Sequence, residues 1–248
     1  MKPLSRREFM GRAAAVAAAV TLPIDLRRVA APSLGEPRPP CAILTLDGDD
    51  SLAESVAGFE SALREAQVPF TRSLPAHEAV VIVPGAVRIP RRTAAQTTNA
   101  LVDGATVILE SGAVFGAADS RELRDHRDML RHLFGIEIDP PVSLWPAHGI
   151  PYVEYTWPVA VRVRDFSRVV PVRQHDGEVI GRAAGLPVAV HRCQGRGTLI
   201  FLGSPLGPAL WSGDAEARRW LGAVLGLRVE GTSVEKRKAD PSSLRSSG

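Results

Sequence analysis

The chain predicts an α/β fold built on a parallel sheet, and two observations carry that expectation. Four short, almost wholly apolar runs, 41–46, 79–83, 105–109 and 197–202, have the length and β-branched content of strands buried on both faces. Segments with apolar residues at helical spacing, 51–67, 92–102 and 120–134, separate them, and a fourth at 214–225 follows the last run. Strands alternating with helices in this rhythm give a sheet covered on both faces. Ligands on such sheets bind beyond the C-terminal strand ends, so the loops after each run are the places to look for a site.

The elements follow in order. Residues 35–40 are proline-rich and read as a linker. The first strand, 41–46, runs into the acidic loop Asp47-Gly-Asp49-Asp50. Leu52, Val56, Phe59, Leu63 and Ala66 give the first helix its apolar stripe, and its acidic start suits a helix N-terminus. Strand 79–83 is stopped by Pro84-Gly85, helix 92–102 by Gly104, and strand 105–109 passes into Glu110-Ser111-Gly112. Gly135 closes the helix from 120 to 134. The stretch 136–193 breaks the rhythm with prolines, tryptophans and the alternating pieces 159–163, 169–172 and 188–190, which predict an antiparallel β insertion or edge before the last core strand. Residues 203–207 read as a turn before the closing helix, and the polar tail 231–248 reads as disordered.

With 248 residues, 45% hydrophobic and 23% charged, the composition is that of an ordinary globular chain with one domain over 36–230. The net charge of +3 belongs to the ends. Residues 1–35 carry six basic and two acidic side chains and residues 235–248 four and two, which leaves the body at −3. No nucleic-acid partner is implied by such a distribution. Cys41 and Cys193 are the only cysteines and form no CxxC or zinc-ligand spacing, so a disulfide between them stays open.

Ser5-Arg6-Arg7-Glu8-Phe9-Met10 precedes an alanine- and valine-rich run from 13 to 24, shorter than the roughly 20 apolar residues a membrane helix needs. It resembles a twin-arginine (Tat) export signal and places residues 1–35 outside the fold. The implied partners are the Tat machinery and an envelope protein or small ligand, the implied location is the periplasm or envelope, and a membrane enters only if the signal is uncleaved.

Three passages carry a further resemblance: 80–85 (VVIVPG), 101–112 (LVDGATVILESG) and 195–205 (GRGTLIFLGSP). Together they resemble the class I glutamine amidotransferase-like superfamily. That likeness implies a flavodoxin-like three-layer sandwich with a mainly parallel sheet and the β insertion ahead of the last strand. Active members use a Cys-His-Glu triad. Here Ser111 stands at the nucleophile turn, and Ser204-Pro205-Leu206 stands where the His-Pro-Glu would be. The resemblance therefore implies a module without the triad, acting in binding or assembly in the envelope, and no cofactor. A serine hydrolase using Ser111 is the alternative reading.

Ser111 is the catalytic candidate, since a serine followed by small residues at such a turn becomes a nucleophile when a base adjoins it; a turn or helix N-cap is its plainer role. His148, His175 and His191 are the histidines the sequence offers as base, while His126 and His132 read as surface positions on their helix. Asp47, Asp49, Gly85, Glu110 and Ser204 cluster on the expected strand-end loops as pocket candidates. The acidic trio 47, 49 and 50 suits a hard cation in principle, but turn capping is the favoured role and no metal is expected. Trp145, Tyr152, Tyr155 and Trp157 offer rings to a sugar or a partner protein, or cover the edge of the insertion.

Overall fold

A computed structural model of the chain describes residues 40–46, 51–74, 79–112, 121–144, 151–165 and 169–227. In chain order the elements are β1 (Cys41–Ile43), α1 (Ala53–Glu65), β2 (Phe70–Thr71), β3 (Val80–Ala86), α2 (Arg91–Val102), β4 (Thr106–Ser111), α3 (Arg121–Phe134), β5 (Glu137–Ile138), β6 (Tyr152–Tyr155), β7 (Val161–Arg164), β8 (Val172–Gln174), β9 (Glu178–Ala183), β10 (Leu186–Gln194), β11 (Gly197–Leu202), α4 (Gly207–Trp211) and α5 (Ala215–Val224). The twin-arginine segment, the acidic loop 47–50 and the tail from 228 lie outside the described residues.

Nine strands form one open sheet in the order β2-β1-β3-β4-β11-β10-β9-β6-β7. β2, β1, β3, β4 and β11 run parallel. Every pairing beyond β11 is antiparallel. β5 and β8 make a separate antiparallel ribbon. The expected flavodoxin-like sandwich is thereby corrected: the sheet is mixed, its far half being an antiparallel edge of four strands from 152–194. The reason is visible in the burial of the hairpin, where Val153, Tyr155, Val161 and Val163 point inward and their neighbours outward. Such half-buried alternation is what an antiparallel extension with one wet face requires.

The apolar runs divide their side chains between two cores because alternate residues of a strand face opposite ways. Ile82, Ile108 and Ile200 join Phe59 and Leu63 of α1, Leu210 of α4 and Trp220 of α5. Val81, Val83, Leu109 and Phe201 join Leu101 of α2 and Leu123, Leu130 and Phe134 of α3. Asp214 caps α5 by accepting from the Glu216 and Ala217 N–H groups at 2.9 and 3.0 Å. α4 occupies a segment the sequence shows only as a turn and its sequel, and β3 continues past Pro84 to Ala86 through a register shift.

Cys41 is buried in β1, Cys193 is exposed in β10, and both are free. β3, β4 and β11 stand between their strands. Four inter-strand steps of about 4.8 Å exceed the roughly 7 Å limit between disulfide-bonded Cα atoms.

Candidate functional site

At the C-terminal end of β4 the sequence places Glu110 and Ser111, and both are fully buried. The β3 register shift makes the geometry. Gly85 sits there at φ +51°, a conformation that costs glycine little, and turns its N–H to Glu110 Oε2 at 2.7 Å. The Gly207 N–H, at the start of α4, donates to Glu110 Oε1 at 2.8 Å. One carboxylate thus joins β3, β4 and α4. Burial pushes its pKa up to about 7, against the opposing pull of the Gly207 and Gly85 N–H groups.

Ser111 Oγ lies 3.2 Å from His126 Nε2. The sequence reading of His126 as a surface residue is corrected, for it is 1% exposed. Its position, three after Leu123 and four before Leu130, puts it on the buried face of α3, so the helical period already held the signal. Burial lowers its pKa to about 4, so the ring is neutral at pH 7 and Nε2 either donates to the serine or accepts from it. Among the described residues Nδ1 has no partner, and the Gly112 N–H donates to Ala86 O at 2.7 Å. A third residue orienting the ring and a free N–H beside the serine, which acyl-transfer chemistry uses, are therefore not shown by this pair.

Ser204 Oγ donates to Asp165 Oδ1 at 2.9 Å, both side chains buried. Gly85 and Glu110 are joined by a buried hydrogen bond and Ser111 follows on the same strand, while Ser204 pairs with an aspartate the sequence did not single out. Asp47 and Asp49 lie outside the described residues, as do Trp145 and His148. No group of potential metal ligands is found among the described residues. His175 Nδ1 accepts from the Gly177 N–H at 3.3 Å in its own loop. Trp157 stacks on His191 with centroids 4.5 Å apart, its carbonyl accepts from Trp220 Nε1 at 2.8 Å, and Tyr155 packs on Trp220 at 5.1 Å. These rings hold the sheet to α5.

Tyr152 differs. It alternates outward on β6 and stays 37% exposed. On the neighbouring strand β7 the Arg162 guanidinium lies 4.7 Å from its ring centroid, and Arg162 Nε is 3.5 Å from Glu154 Oε1. These three, with Leu144, Pro151 and the Ala184-Gly185 turn, line an open cavity of about 250 Å³.

No family model matches the chain, and no curated protein matches it by sequence. Its likeness is to solved structures and concerns the fold. An exo-β-1,4-mannosidase from Opitutaceae bacterium strain TAV5 superposes with a TM-score of 0.51 at 12% identity, over 76% of this chain and 35% of the mannosidase. A β-galactosidase from Bacillus circulans sp. alkalophilus gives 0.51 at 17% identity, over 74% and 31%. A cytoplasmic protein from Salmonella typhimurium LT2 gives 0.53 at 11% identity, over 75% of this chain and 97% of that protein. The chain spans about a third of the length of the glycosidases it matches. These neighbours overturn the expected membership of the amidotransferase-like superfamily, and with it the triad-less binding or assembly module and the serine-hydrolase alternative read from that membership, since the solved structures it resembles include glycosidases.

Proposed function

We propose that the chain is a glycosidase-type domain that binds carbohydrate, with the β6–β7 hairpin cavity as its sugar contact. The cavity carries the reading. Its volume of about 250 Å³ is on the scale of one sugar ring, and it combines an exposed tyrosine, a carboxylate and a guanidinium. A tyrosine offers an apolar ring to the C–H face of a sugar and a hydroxyl to its edge. Glu154 and Arg162 offer acceptors and donors to ring hydroxyls. The glycosidase neighbours support the same class through their fold. Bond cleavage in glycosidases needs two carboxyl groups roughly 5 to 9.5 Å apart across the scissile bond. The buried Glu110 and Asp165 are each engaged in internal hydrogen bonds, so the proposal rests on binding.

Calorimetric titration of the purified chain with galacto- and manno-oligosaccharides tests it. Saturable binding that weakens at least tenfold in Tyr152→Ala and in Glu154→Ala is the expected result. A folded chain that binds none of these sugars sinks the proposal. Binding lost instead in Trp211→Ala, the most exposed of the large hydrophobic side chains among the described residues, would move the contact to α4.

A further inference from the structure

A second cavity, of about 230 Å³, lies between the outer face of α3 and the β5–β8 ribbon. Arg124, Arg127 and Arg131 line it from α3 and Arg173 from β8. The helical residues stand at i, i+3 and i+7, a spacing that stacks three side chains on one face. The body of the chain is net negative, so four guanidinium groups on one small concavity are a local reversal of its charge. Two carboxylates, Asp128 and Glu137, share the lining with Ile138.

Glu137 and Asp139 orient two of the arginines, Arg131 and Arg173. Arg131 Nε is 3.3 Å from Glu137 Oε1. Arg173 Nε donates to Asp139 Oδ1 at 2.8 Å, and its Nη2 donates to the same oxygen. A guanidinium has five N–H donors in one plane, so an arginine fixed through one edge still presents the rest to a ligand. Two such forks, with Arg124 and Arg127 lining the same concave site, match a tetrahedral oxyanion, whose oxygens accept from more than one arginine at once.

From this we infer that the α3–ribbon cavity binds a tetrahedral oxyanion, a phosphate or sulfate group, either free or as a monoester on a larger molecule. The inference stands on residues separate from the hairpin cavity and holds whether or not that cavity binds sugar.

Titration calorimetry at low ionic strength with inorganic phosphate, inorganic sulfate, galactose 6-sulfate and galactose tests it. One-site binding of an oxyanion probe is expected, with no binding of galactose in this cavity. Affinity should fall about tenfold or more in Arg127→Ala and in Arg173→Ala, as removal of one charge-assisted contact implies. Arg127→Lys should recover only part of it, because an ammonium cannot make the bidentate contact. Arg91→Ala, on α2 outside the cavity, should bind like the parent. A preference for the sugar sulfate over both free anions that persists in Tyr152→Ala and is lost in Arg127→Ala assigns the ester, and equal binding assigns the free oxyanion. Binding unchanged in the cavity variants, weakened equally by Arg91→Ala, or absent from the folded chain for every oxyanion probe would overturn the inference.

Discussion

Glu110 and His126 are buried titratable groups on neighbouring strand and helix, shifted in opposite directions by the same cause. Burial raises Glu110 from 4.5 to about 7 and lowers His126 from 6.5 to about 4. The folded chain keeps the Glu110 proton where the unfolded chain releases it, so its contribution to stability is full below pH 4.5 and falls as pH rises to about 7. His126 does the reverse: its contribution is full above pH 6.5 and is lost as pH falls towards 4. Between pH 4.5 and 6.5 each group changes folding by about one proton, with opposite sign, and the two slopes cancel. Glu110→Gln should unmask the histidine: its urea-unfolding free energy should rise relative to the parent by about 1.4 kcal/mol per pH unit across that window. His191, also lowered by burial, is common to both chains and drops out of the comparison. At the acid end of that window Glu110→Gln should cost about 1–3 kcal/mol, because an amide NH₂ would face one of the two glycine N–H donors, and the deficit shrinks as pH rises. Parallel pH profiles for variant and parent would refute the assignment. The sequence shows a glutamate at the end of an apolar strand, but its donors come from residues 25 and 97 positions away, which no local pattern reveals.

Elements were legible wherever their own periodicity decided them. α1, α2, α3, α5 and the parallel strands β1, β3, β4 and β11 fall within a few residues of where the apolar pattern places them, since each must bury its own stripe, whereas the two-residue β2 was not legible. α4 and the antiparallel extension were less legible, because α4 is five residues long and the extension takes its pairing from strands distant in sequence. The contact between α1 and α4 is the sharpest case. A Cβ on Gly58 would lie 1.9 Å from the Gly207 carbonyl oxygen, a backbone atom with no rotamer in which to retreat. Gly222 of α5 has nothing nearer than 3.9 Å. Both glycines lie in helices, so helix propensity favours alanine at either by up to about 1 kcal/mol. At Gly58 the clash outweighs it, and Gly58→Ala should destabilise the fold by about 1–3 kcal/mol. Gly222→Ala should leave stability unchanged or raise it by up to about 1 kcal/mol. Thermal and urea unfolding of the pair measure the contrast, and equal effects at the two positions would show that α1 and α4 do not pack this closely.

For the whole molecule, the sequence separates a folded body of net charge −3 from basic ends, and the described residues fall within that body. Among them no helix is long and apolar enough to cross a membrane. The twin-arginine pattern at Arg6-Arg7 carries a consequence for the order of events. That route moves proteins already folded, and the buried joints of this fold, Glu110 across β3, β4 and α4 and Trp220 across to Trp157, connect residues far apart in the chain. Their formation needs most of the chain to be present, so we propose that folding precedes export. In cells with the twin-arginine machinery, the full chain should reach the envelope, and Arg6→Lys with Arg7→Lys should hold it in the cytoplasm with its stability unaltered. Gly58→Ala, which weakens the body and leaves the signal intact, should lower the exported fraction in step with its loss of stability. Fractionation followed by immunoblotting reads all three chains. Equal export of the double-lysine chain would remove the twin-arginine assignment, whereas full export of a demonstrably destabilised Gly58→Ala chain would keep the address and break its link to prior folding.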